Sequence, residues 1–75
     1  MINRTCLSIC DIENPTQKPL FSTDSYPVVP NVGEEIYVGN GTNLKTCKVV
    51  RREISYTTNI DNSRDTFILI WVNIL

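Results

Sequence analysis

A chain of 75 residues holds one domain at most. With no histidine, three cysteines and a formal net charge of −1, it lacks the commonest general base, has few ligands for a structural zinc site and offers no basic face to duplex nucleic acid. A domain this small buries only about 60% of its unfolded surface, so a staple is expected from disulfides, a metal or a second chain.

The composition favours strands. There is no alanine, and valine, isoleucine and threonine make up about a third of the chain; such β-branched residues are stiff at χ1 and suit a pleated surface. Residues 2–12, INRTCLSICDI, read as a first strand with Leu7 and Ile9 on one face and Cys6, Ser8 and Cys10 on the other. Cys6 and Cys10 would stand about 13 Å apart along it, too far for a bridge. Either could pair with Cys47, but reduced cysteines packed as small hydrophobes are the favoured reading. ENPTQKP is a loop punctuated by Pro15 and Pro19, and Leu20 to Thr23 is a short extended piece.

DSYPVVPNVGEE forms the next break. Pro27 and Pro30 remove ladder donors, and Gly33 supplies a turn conformation. Glu35 to Val38 is a short strand, GNGTN a hairpin turn, and Leu44 to Thr58 the long return strand. Cys47 and Val49 share a face of that strand. After Val50 the apolar residues move to even positions, Val50, Ile54 and Tyr56, and this one-residue phase change predicts a bulge or sharp bend. NIDNSRD connects to a last strand from Thr66 to Leu75. The whole chain, 1–75, is expected to be a single all-β domain: a small SH3-like barrel or a strongly bent antiparallel sheet of four to five strands.

The last strand, TFILIWVNIL, is apolar on both faces. Phe67, Leu69, Trp71 and Leu75 point one way; Ile68, Ile70, Val72 and Ile74 point the other. One face can close the core, and the second needs another cover. Its own chain, a ligand or a second copy could supply that cover. Leaving four large aliphatics wet would forgo several kcal/mol at about 25 cal/mol per Å², so a homo-oligomer is favoured, with Ile68, Ile70, Trp71, Val72 and Ile74 at the interface.

No nucleophile setting or phosphate loop is present, and the G-x-G of GNGT joins two strands instead of opening a helix. The chain is therefore expected to be no enzyme and to need no cofactor or metal. CKVVRREISYTT places Lys48, Arg51, Arg52 and Tyr56 on one strand. Lys48, Arg52 and Tyr56 share a face if the ladder is regular there. Arginine forks suit phosphate and aromatic rings stack on bases; Tyr37 on the neighbouring strand could lie close by, and Arg64 with the Thr and Asn residues of the 57–63 connector could close over a small anion. The plainer alternative is a solvated face whose arginines pair with Glu34, Glu35 or Glu53. The N-terminal residues do not read as a signal peptide and no run is long enough for a membrane helix, so a cytoplasmic protein with no membrane partner is expected.

The stretch VPNVGEEIYVGNGTNLKTCKVVRREISY, about the middle third of the chain, resembles small β-barrel proteins encoded by bacteriophages. These run Pro-x-Val-Gly-acidic, a short strand, a Gly/Asn turn and a bent strand containing Val-Val. Some compact phage proteins are antidefence sponges that oligomerise and sequester cyclic nucleotide signals. The resemblance implies a non-enzymatic oligomer in the host cytoplasm with a cyclic nucleotide as ligand. A protein-interaction module, an inhibitor docking on a larger host or phage protein, and a structural component of a phage particle are the alternatives.

Overall fold

The computed structural model describes residues 3–25 and 28–75. Ile2, expected to open the first strand, and Pro27, expected to break the chain, lie outside the described residues. Among the described residues, five strands form one sheet: β1 (Arg4–Asp11), β2 (Phe21–Thr23), β3 (Glu35–Asn40), β4 (Asn43–Thr58) and β5 (Arg64–Ile74). The order across the sheet is β2-β1-β5-β4-β3. The fold is all-β, and the sheet is nearly closed into a small barrel.

Three of the four pairings are antiparallel. The fourth differs from an antiparallel arrangement throughout: β1 runs parallel to β5, from Arg4 beside Asp65 to Asp11 beside Val72. The long excursion through β2, β3 and β4 gives the chain room to return in the same direction, as parallel strands require.

β5 is therefore central, with β1 on one side and β4 on the other. Its even-numbered residues form the inner face. Ile70 and Val72 are fully buried and Ile68 nearly so. They sit beside Leu7 and Ile9 of β1 and Val49 of β4. Val38 and Cys47 complete the core cluster, and Leu20, Val29 and Ile36 pack against it. The expected alternation on β1 and the shared face of Cys47 and Val49 are both present.

The phase change in β4 is a bulge. Val49 pairs with Val72 but Arg51 pairs with Trp71, leaving Val50 as the extra residue. Before it, the odd residues Cys47 and Val49 face inward; after it, the even residues Arg52, Ile54 and Tyr56 lie on that face, opposite Ile70, Ile68 and Thr66. The bulge occurs where β3 stops accompanying β4, since β3 pairs only as far as Lys48 and the preceding turn bonds Val49 through Gly33 and Glu34.

The β3–β4 hairpin closes through Gly41 and Thr42, with Gly41 at φ 55°, the positive value that a first central glycine supplies in a type II′ turn. Gly39, at φ 153°, is required for space as well: a methyl group there would sit on the carbonyl oxygen of Asn43.

The core predicts a sharp contrast in stability. Ile70→Ala is expected to cost about 2–5 kcal/mol, because the side chain is fully enclosed. Ile54→Ala, on the same face but 41% exposed, is expected to cost under about 1.5 kcal/mol. Urea denaturation of both variants measures the difference.

Candidate functional site

The bulge divides the residues expected to bind an anion. Lys48 lies beside Asn73, and Arg51 beside Trp71, on the outer face, away from the core. Tyr37 shares that face, because it pairs with Thr46 while its neighbour Ile36 pairs with the core residue Cys47. Arg52 and Tyr56 lie on the inner face, opposite Ile70 and Thr66, and Arg64, opposite Thr58, continues the same row. Lys48, Arg52 and Tyr56 thus do not form a single row: the ladder is irregular between Lys48 and Arg52, and the extra residue turns the strand over.

The outer group is centred on Arg51. Its Nη2 lies 2.6 Å from Glu53 Oε1, and its guanidinium carbon lies 5.6 Å from the centre of the Trp71 ring, within the range for attraction between a cation and a π face. Glu53 was one of the acidic partners the sequence offered. Arg51 is thus engaged with its own chain. Both side chains of the ion pair are about half exposed, so the pair adds little to stability. The Trp71 Nε1–H is enclosed and has no acceptor among the described residues.

The inner group is less engaged. Arg52 Nη1 donates to Asn31 Oδ1 at 3.2 Å, and neither Arg52 nor Arg64 has a carboxylate partner among the described residues. Arg64 lines a shallow depression of about 340 Å³ with Asn3, Thr58 and Asn62. The Arg64 backbone N–H donates to Asn3 Oδ1 at 3.1 Å, which ties the start of β1 to the start of β5. Tyr56 is 78% exposed and lies diagonally across the ladder from Arg64, within reach of a long side chain. Thr58 and Asn62 are among the connector residues the sequence offered beside Arg64; Asn3 carried no signal, because a parallel pairing of distant strands brings it here.

The residues expected at an oligomer interface also separate. Ile68, Ile70 and Val72 are not available to a second chain: β1 and β4 flank them, and they form the core of their own chain. Ile74 is 38% exposed and Trp71 is half-buried on the outer face. What remains uncovered on β5 is the other row, with Phe67 41% exposed and Leu69 half-buried beside it.

The three cysteines are free thiols. Cys47 faces the core while Cys6 and Cys10 stand on the outer face beside Phe67 and Trp71, so the sheet separates them. Burial pushes the thiols of Cys10 and Cys47 up from their ordinary value, with Asp11 adding to the effect at Cys47.

The connector between β4 and β5 is more ordered than a polar run implies. Asp61 Oδ1 accepts hydrogen bonds from the Ser63 hydroxyl at 2.5 Å and the Ser63 backbone N–H at 2.9 Å. Asn59 Nδ2 donates to Ser63 Oγ at 3.0 Å, and Asn62 takes a positive φ of 69°. The Asp-Asn-Ser sequence was the available signal, since such residues fold back on their own backbone in turns. The Ser63 hydroxyl, with the Ser63 backbone N–H, holds the Asp61 carboxyl below its usual range.

A carboxylate with a depressed folded-state pKa supports the fold above its unfolded value and loses that support as pH falls through the folded value. The Ser63 amide resonance should therefore titrate with a midpoint below the ordinary aspartate value, and Asp61→Asn should abolish the inflection. An NMR pH titration reads both.

No protein-family model, curated protein or solved structure matches this chain.

Proposed function

We propose that this protein is a non-enzymatic binding protein that acts through the open surface of its sheet, as an interaction module for other polypeptide chains. One observation carries this reading. All eight residues from Arg51 to Thr58 are exposed, because β3 ends opposite Lys48 and β4 continues without it. A half-length of strand with a wet edge and a wet face is an adhesive surface that proteins ordinarily cover or blunt. The partly exposed Phe67 and half-buried Leu69 and Trp71 give the outer face an apolar strip as well, of the kind that supports docking. A cytoplasmic inhibitor or an assembly component, phage-encoded or otherwise, fits this surface.

A photo-crosslinking amino acid tests the reading. Placed at Tyr56 or Phe67, it is expected to give protein adducts in cells that are absent when the same group replaces the exposed loop residue Thr16. Identical adducts from all three positions would reduce the surface to a bystander.

A second reading is favoured by Tyr56, Arg64, Asn3 and Thr58 at one end of the inner face. An exposed ring beside a cation without a carboxylate partner suits a phosphorylated base, and a cyclic nucleotide held by a phage-type sponge is the most concrete ligand. Under it, Arg64→Ala and Tyr56→Ala each weaken binding about tenfold, the loss of one charged hydrogen bond or one stacked base, while Arg51→Ala, whose guanidinium is already engaged, changes it little. Calorimetric titration with a panel of cyclic di- and trinucleotides measures this; no heat from any of them removes the sponge.

A further inference from the structure

We infer that the uncovered edge of β4, Arg52 to Thr58, is a self-association surface, completed by the same edge of a second copy running antiparallel. The inference deepens the interaction reading and rests on it, naming the partner chain and the register.

The backbone geometry sets the terms. In an antiparallel ladder, alternate residues turn their N–H and C=O groups to opposite sides. The Asn59 N–H donates to the Ser63 carbonyl, toward β5. By alternation, Arg51, Glu53, Ser55 and Thr57 also face β5, and Arg52, Ile54, Tyr56 and Thr58 face away from it. The Val49 N–H and C=O bond Glu34 and Gly33 on the β3 side, so the Val50 bulge is where inward and outward exchange. Beyond Val49, no backbone bond from a described residue reaches this outer edge. Four consecutive donor–acceptor sites therefore stand open along one strand.

A second copy matches them. With the two-fold axis through Ser55, Arg52 stands opposite Thr58 and Ile54 opposite Tyr56, each twice. All four outward residues of each chain then meet outward residues of the other, so every open N–H and C=O finds its complement. Ser55 meets itself, and Glu53 meets Thr57, so no like charges oppose. Moving the axis to Glu53 sets two carboxylates against each other, and moving it to Arg52 sets two guanidinium groups together; both are disfavoured in a cross-strand pair. The contact is also partly apolar, since Ile54 is 41% and Tyr56 78% exposed in the single chain, and an aromatic ring against a β-branched side chain is a stabilising cross-strand pair. The edge carries no proline, lysine or further bulge between Arg51 and Thr58, three of the devices that keep edges apart. The 59–63 turn leads toward β5 in each copy, away from the joint. The product is a continuous sheet running through both chains.

The test is amide exchange and sedimentation of the intact chain. As concentration rises, the mass is expected to double from 8.5 kDa, and the amides of Arg52, Ile54, Tyr56 and Thr58 are expected to gain protection together. Tyr56→Pro removes an outward-facing donor while leaving the bonds to β5 in place, a position where a strand tolerates proline. It is expected to weaken association about a hundredfold or more, because the symmetric contact loses bonds on both chains. Ile54→Lys, which blunts the edge without touching the backbone, should act in the same direction and serves as the deciding variant if Tyr56→Pro fails to fold. A monomer at every concentration, or a dimer that survives both variants, overturns the proposal. So does a dimer lost in Phe67→Asp but kept in Ile54→Lys; that result would move association to the outer face and leave the interaction reading standing.

Discussion

β5 is hydrogen-bonded along both edges, to β1 on one side and β4 on the other, and the inner face of that one strand supplies Ile68, Ile70 and Val72 to the core. Leu7 and Ile9 of β1 and Val49 of β4 stand directly beside these three. In a domain with so little interior, the hydrophobic contribution cannot be spread over several layers. The two-sided apolar character of TFILIWVNIL follows from this position. Its inner face is interior, and its outer face is half-covered by neighbours such as Arg51 lying over Trp71.

The Val50 bulge is the second determinant, and it acts on function more than on stability. An extra residue in one strand reverses which side chains face inward and which backbone groups face the neighbour. Up to Val49, β4 serves the core and is covered by β3. From Arg51 onward its odd residues bond β5, its even side chains are exposed, and no backbone group of a described residue bonds its outer edge. One inserted residue thus separates a structural half-strand from a presented one. The same reversal places Arg51 against Trp71 and Glu53 on one face while leaving Arg52, Tyr56 and Arg64 on the other.

Much of the local architecture was legible in the sequence because it is written at short range. Leu7 and Ile9 alternate with Cys6, Ser8 and Cys10, the glycines mark the hairpin, and the shift of apolar residues after Val50 marks the bulge. Beyond the β3–β4 hairpin, the strand partners were not legible. Nothing near Arg4 indicates that Asp65 will lie beside it, because pairing between distant strands depends on the packing of the whole sheet. The anion-binding row failed for a different reason. Lys48, Arg52 and Tyr56 were counted straight across a position where the apolar residues already recorded a change of phase, and charged side chains obey the same geometry as their neighbours. The interface assignment gave β5's inner face to a second chain, whereas Ile68, Ile70 and Val72 are already enclosed in the core of their own chain.

The parallel pairing of β1 with β5 has a consequence for the order of assembly. Arg4 and Asp65, adjacent in the sheet, are 61 positions apart along a chain of 75 (65 − 4 = 61). The β3–β4 hairpin closes over two residues and can form in microseconds, but β1 gains its principal neighbour only when nearly the entire polypeptide has been drawn into a loop. The entropy of that closure falls due before the contacts that offset it are made. Until then β5 has one edge unpaired, and the most hydrophobic segment of the chain depends on β4 alone for shelter.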